Sequence, residues 1–164
     1  VAPTQFNLDH IFQNKTPIDP VEWLHLESGL KNLSMRAVDL VCPVGKGQRG
    51  LIVSPPKAGK TTLLKELCQA IVGAAPGIKA YCFLVDERPE EITDFKRSVP
   101  AEVYASSSDR PYEEHIDLAQ QVIHRAANEA ASGADVVLLI DSLTRLSRVH
   151  NVNSSGRRTM SWRR

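Results

Sequence analysis

The sequence predicts an α/β fold, an open and mostly parallel sheet with helices on both faces, and three observations predict it. An apolar run, Leu51, Ile52 and Val53, enters the loop SPPKAGKTT and leaves it at helical period. Short apolar strands then alternate with helical segments, the signature of repeated βα units. The last strand, VVLLID, ends on a carboxylate, Asp141, where the carboxyl edge of a parallel sheet receives ligands.

Each element has a local reason. Residues 1–34 are polar, contain Pro3, Pro17 and Pro20, and hold no sustained period, so they read as a connecting arm ahead of a domain spanning 35–164. Residues 51–53 read as a buried strand. After the loop, Leu63, Leu64, Leu67, Ile71 and Val72 recur at helical spacing until Gly73 and Pro76. Residues 81–85 form the next strand, and Pro89 opens a short helix whose Glu90 and Glu91 suit the positive end of the helix dipole. Strand 102–105 leads to a long helix that begins near Asp109 and Pro111. That helix keeps Ile116, Ala119, Val122, Ile123, Ala126 and Ala130 on one face and ends at Ser132 and Gly133. Strand 136–140 follows. Beyond Ser142, the positions of Leu143, Leu146 and Val149 mark one more helix, and the chain then turns polar and basic.

Composition limits the choices. At 164 residues and 42% hydrophobic, with no apolar run of membrane-spanning length, one soluble domain without a membrane partner is expected. A net charge of +1 gives no overall field to attract nucleic acid, so any such contact is local. Cys42, Cys68 and Cys82 lie at no metal-ligand spacing, which fits a reducing, cytoplasmic setting. His115 and His124 lie nine apart on one helix and face opposite ways, so they form no metal pair.

The loop carries the chemistry. A triphosphate needs several backbone N–H groups aimed at it, and a tight turn opening a helix supplies them. Gly59 lets the backbone close in, Lys60 reaches the outer phosphates, and the Thr61 hydroxyl holds Mg²⁺. Ser54 stands where the usual pattern opens with glycine. Asp141 is a candidate to complete the Mg²⁺ shell, to cap the following helix, or to do both. The run FLVDERPEE delivers Asp86, Glu87 and Arg88 to the same sheet edge, with Glu87 the candidate for polarising water. Arg88, Arg145 and Arg148 are candidates for phosphate contact or for relaying between subunits, or are solvated surface residues. The turn GKGQRG brings Lys46 and Arg49 toward a nucleotide, or is an ordinary turn.

Taken together, GKGQRGLIVSPPKAGKTTLL, FLVDERPEE and LLIDSLTRLSR resemble the transcription termination factor Rho family, ring-shaped hexameric RNA translocases powered by ATP. FQNKTPIDP is similar to the stretch joining that family's RNA-binding domain to its motor. The resemblance implies a RecA-like P-loop NTPase fold lacking its last strands, with ATP and Mg²⁺ as cofactors. It implies an ATP site lined by Gly45, Lys46, Gly47, Gln48, Arg49 and Gly50, by Lys57, Ala58, Gly59, Lys60, Thr61 and Thr62, and by Arg88. Thr61 and Asp141 would serve the metal, Lys60 and Glu87 the reaction, and Arg145 the relay between subunits. Arg157 and Arg158 fall where the family grips RNA, and RNA polymerase is the implied larger partner. By the same resemblance the chain stops before a further strand, a second RNA loop and an arginine finger. Such a finger is worth about 10³ to 10⁵ in rate, so weak turnover is expected from this chain alone. The absent strand would leave residues 50–54 at an open sheet edge. Two other readings stand beside this one: a nucleotide- or RNA-binding module without turnover, and a RecA-type rotary ATPase subunit.

Overall fold

The computed structural model describes residues 9–13, 16, 19–27, 32–55 and 57–148. In chain order the elements are α1 (Asp9–Phe12), β1 (Trp23–Leu24), α2 (Leu33–Val41), β2 (Val44–Gly45), α3 (Lys60–Ala74), β3 (Lys79–Glu87), α4 (Pro89–Ser98), β4 (Glu102–Ser107), α5 (Tyr112–Ala131) and β5 (Val136–Asp141). Residues 143–148 are helical as well. The main sheet has the order β4-β3-β5, and both pairings are parallel.

Strand β3 is apolar on both sides because both of its faces are covered. Ala80, Cys82 and Leu84 pack with Leu64 and Cys68 of α3 and with Phe95 of α4. Phe83 and Val85 point the other way, against Ala119 and Val122 of α5 and against Leu146. The alternation is the period of a strand, and each fully buried side chain of this size is worth about 1.5–3 kcal/mol. Helix α5 buries Ile116, Ala119, Val122 and Ala126 as its periodicity demands, while Ala130 is exposed. Helix α3 ends at Ala74, between Gly73 and Pro76 as expected.

A third core lies on the back of α3. Leu24 and Leu26, from the segment read as an arm, pack with Met35, Ala70 and Ile71. Strand β1 pairs antiparallel with β2, bringing Trp23 opposite Gly45. Helix α2 opens at Asn32, whose side chain accepts the Ser34 N–H at 2.8 Å.

The strand expected at residues 51–53 is not formed. Ile52 packs against the core of α3 and α4, but Leu51 and Val53 are 73% and 83% exposed, and the segment joins no ladder among the described residues. Exposure alternates along it, with only Ile52 turned toward the core. Its apolar pattern is met by partial burial of Ile52 alone, without backbone pairing to a neighbouring strand among the described residues.

Candidate nucleotide site

Gly59 caps the start of α3 with φ 86°, in the left-handed region, and open space surrounds the position a Cβ would take. The neighbouring Lys57 is also left-handed, at φ 63°. The loop is held by Ala58 N–H donating to Pro55 O at 3.4 Å and Leu63 N–H donating to Gly59 O at 2.9 Å. Lys57, Ala58, Gly59, Thr61 and Thr62 are all exposed, so the first turn of α3 is open to an anion.

Opposite the loop stands Asp141, 2% exposed at the end of β5. Lys60 Nζ donates a short hydrogen bond to Asp141 Oδ1, and Thr61 Oγ1 donates to Asp141 Oδ2 at 3.1 Å. The 80 or so residues between loop and carboxylate are therefore closed into one cluster by parallel pairing of β5 on β3. These oxygens suit a hard cation such as Mg²⁺, which takes one or two protein ligands and fills its octahedron with water and phosphate. No group of three or more His, Cys, Asp or Glu side chains placed to hold a metal occurs among the described residues.

Glu87 ends β3 beside this cluster. Asp86 before it is left-handed at φ 55°, and the pairing with β4 shifts register between Leu84 and Glu87, which turns the Glu87 side chain inward. The carboxylate is 7% exposed and pairs with Arg145 Nη1 at 2.7 Å. Arg145 also donates to the backbone oxygens of Val85 and Asp86, so it fastens the end of the strand. Burial pushes the Glu87 carboxyl above the usual carboxylate range, and a hydrogen bond shared with Glu91 adds to this. Arg145 opposes both. Glu91 is the residue that sequence reasoning assigned to the helix dipole alone. Its spacing of four from Glu87, across a strand end and a first helical turn, was the available signal.

Lys46 is displaced from its expected place. Its ammonium pairs with Asp135 Oδ2 at 2.7 Å and Glu22 Oε1 at 2.6 Å, and its N–H donates to Glu22 O. Asp135 precedes β5 whereas Asp141 ends it, so Lys46 stands at the opposite edge of the sheet from Lys60, about 20 Å away along a strand of six residues. The cause is a pair of acidic partners at the lower edge. Gly45 and Gln48 form a turn there, with Gly45 N–H donating to Gln48 Oε1 at 2.8 Å, and Gly47 is left-handed. Arg49 and Gly50 are exposed. Arg88 caps α4 and is exposed, next to Glu87 in the chain. Arg148 is exposed, and Arg157 and Arg158 lie outside the described residues.

A parallel sheet with helices on both faces, a left-handed glycine loop opening a helix, and a buried aspartate at the end of β5 define a nucleotide-binding domain of ATPase type. Residues 34–163 match the model of the ATP synthase alpha/beta family, nucleotide-binding domain, and the chain belongs to that family. Within it, the sequence follows transcription termination factor Rho: 54% identity to the Streptomyces coelicolor protein over 92% of this chain, and 48% to that of Akkermansia muciniphila over the same share. The chain spans about a third of these relatives' length, 36% and 32%. Among solved structures, an ATPase of the type III secretion system of pathogenic bacteria superposes with a TM-score of 0.69 at 27% identity, over 86% of this chain and 40% of the other. The assembled ATPase EscN of enteropathogenic E. coli, solved with its central stalk EscO, gives 0.70 at 26%, over 87% and 34%.

Proposed function

We propose that this chain is the ATP-binding core of a Rho-like motor, one that couples ATP hydrolysis to movement along RNA in transcription termination. The observation that carries the reading is the cluster of Lys60, Thr61 and Asp141 against the open first turn of α3. The amides from Ala58 to Thr62 cradle phosphate oxygens. Lys60, which rests on Asp141, swings to the outer phosphates, since the third of its side chain that is exposed leaves that path free. Thr61 and Asp141 would hold Mg²⁺, which when bound would supply positive charge to the phosphates. Glu87 orients the attacking water, Arg88 contacts the nucleotide, and Arg145 relays the state of the Glu87 end to a neighbouring subunit.

RNA contact through Arg157 and Arg158, a ring of six copies, RNA polymerase as partner and a cytoplasmic setting are extensions from the Rho relatives. No helix among the described residues is long and apolar enough to cross a membrane. Binding without turnover is the competing reading, and the Glu87–Arg145 ion pair favours it, because a carboxylate committed to a guanidinium is a poor acceptor of a proton from water. Titrating Mg·ATP into wild type and Lys60→Ala tests the loop: equal affinities refute the phosphate-loop assignment. RNA-stimulated phosphate release by the chain would eliminate the binding-only reading. RNA affinity that does not change between low and moderate salt would exclude phosphate contact by the basic tail.

A further inference from the structure

Residues 23–27 continue past β1 with strict alternation. Leu24 and Leu26 point into the core, 7% and 0% exposed, so Trp23, His25 and Glu27 share the outer face. Helix α2 runs alongside and supplies Asp39. These four side chains line a cavity of about 340 Å³. The indole and imidazole rings lie 4.4 Å apart between centroids, and Trp23 is 47% exposed. In the same lining, Asp39 Oδ2 accepts the Glu27 N–H at 2.8 Å, while Asp39 Oδ1 is buried with no hydrogen-bond partner among the described residues. Glu27 has Arg36 at 3.5 Å, a loose pair between two side chains that are both more than half exposed.

An aromatic face sharing a cavity with an incompletely neutralised carboxylate can receive a planar or alkylated cation, through the ring quadrupole and charge-assisted hydrogen bonds. We infer that the groove between residues 23–27 and α2 binds a guanidinium or alkylammonium group, with Asp39 as its charge partner and Trp23 as its stacking face. The site lies on the Glu22 side of the fold, which Lys46 ties to the start of β5, away from the phosphate loop. It therefore stands or falls independently of the nucleotide reading.

The test uses ¹⁵N-labelled chain and follows the Trp23 indole N–H, assigned against Trp23→Phe because Trp162 gives a second signal. N-acetylarginine methylamide should shift that signal saturably, whereas the citrulline analogue, equal in shape but uncharged, should bind at least about fivefold more weakly. Asp39→Asn should weaken the arginine response roughly 10-fold. Glu27→Gln, at an exposed position, gives a smaller loss and serves if Asp39→Asn does not fold. Equal responses to charged and uncharged probes, or an undiminished response in both variants, would overturn the inference. A Gly-Ser peptide bearing one arginine distinguishes the source: tighter binding than the free amide identifies a protein segment, and equal binding a small cation.

Discussion

The two ends of β5 carry the same pair of residue types in opposite circumstances. At its end, Lys60 meets Asp141, whose side chain is 3% exposed. At its start, Lys46 meets Asp135, whose side chain is 52% exposed. The upper carboxylate has left water and depends on its partners, while the lower one is still solvated. A lysine–aspartate contact thus forms a site only where burial has raised the stakes. The lower pair acts as a tether instead, since Lys46 also holds Glu22 and so joins the ribbon of β1 and β2 to the sheet.

The comparison can be broken in graded ways. The largest effect belongs to Lys60→Ala, which should weaken Mg·ATP binding by on the order of 10- to 100-fold by calorimetry. The same variant should lose about 2 kcal/mol in urea denaturation, because Asp141 is stranded while the lysine itself was part-solvated, and adding Asp141→Asn should restore much of it. Lys46→Ala, by contrast, should leave both nucleotide affinity and the unfolding midpoint nearly unchanged; a loss matching that of Lys60→Ala would erase the distinction.

Glu87 sharpens the argument through pH. Its folded carboxyl is raised by burial, so the protonated form is favoured by folding, and that contribution is complete below the ordinary glutamate range and fades as pH rises through the raised value. Glu87→Gln should therefore be more stable than wild type at pH 8, with the gap closing near pH 4, as read from denaturation curves at the two pH values. The smallest effect concerns thiols. Cys42 is exposed, whereas Cys68 and Cys82 are buried with their sulfurs 3.8 Å apart, and Cys82 is pushed up by its contact with Cys68 and by burial. A thiol reagent should modify one cysteine at once and the other two only as fast as the chain opens.

Much of this was legible in the sequence. The strands expected at 81–85, 102–105 and 136–140 became β3, β4 and β5, and the continuous apolar runs at 81–85 and 136–140 reflect strands with helices packed on them. The proximity of Lys60 to Asp141 was readable too, since a loop after one strand and a carboxylate ending another meet at one edge of a parallel sheet. Residues 51–53 misled because side-chain pattern reports which way residues face and not whether a neighbouring strand accepts their backbone. Lys46 misled for a different reason: its partner Asp135 lies 89 residues away, and nothing local announces that meeting. Leu24 and Leu26 were hidden by the prolines and polar residues around them, which gave the arm no visible period.

Strand β3 assigns destinations by parity. Even-numbered residues from Ala80 to Leu84 serve one hydrophobic layer, and Phe83 and Val85 serve the other. Removing a single residue from that stretch would exchange the two sets, sending Phe83 toward α3 and Cys82 toward α5. It would also rotate the strand's exit by half a turn, carrying Glu87 away from Arg145. The Glu87 end of the candidate site is thus kept in place by counting, and a one-residue slip several residues below would dismantle it without touching Lys60, Thr61 or Asp141.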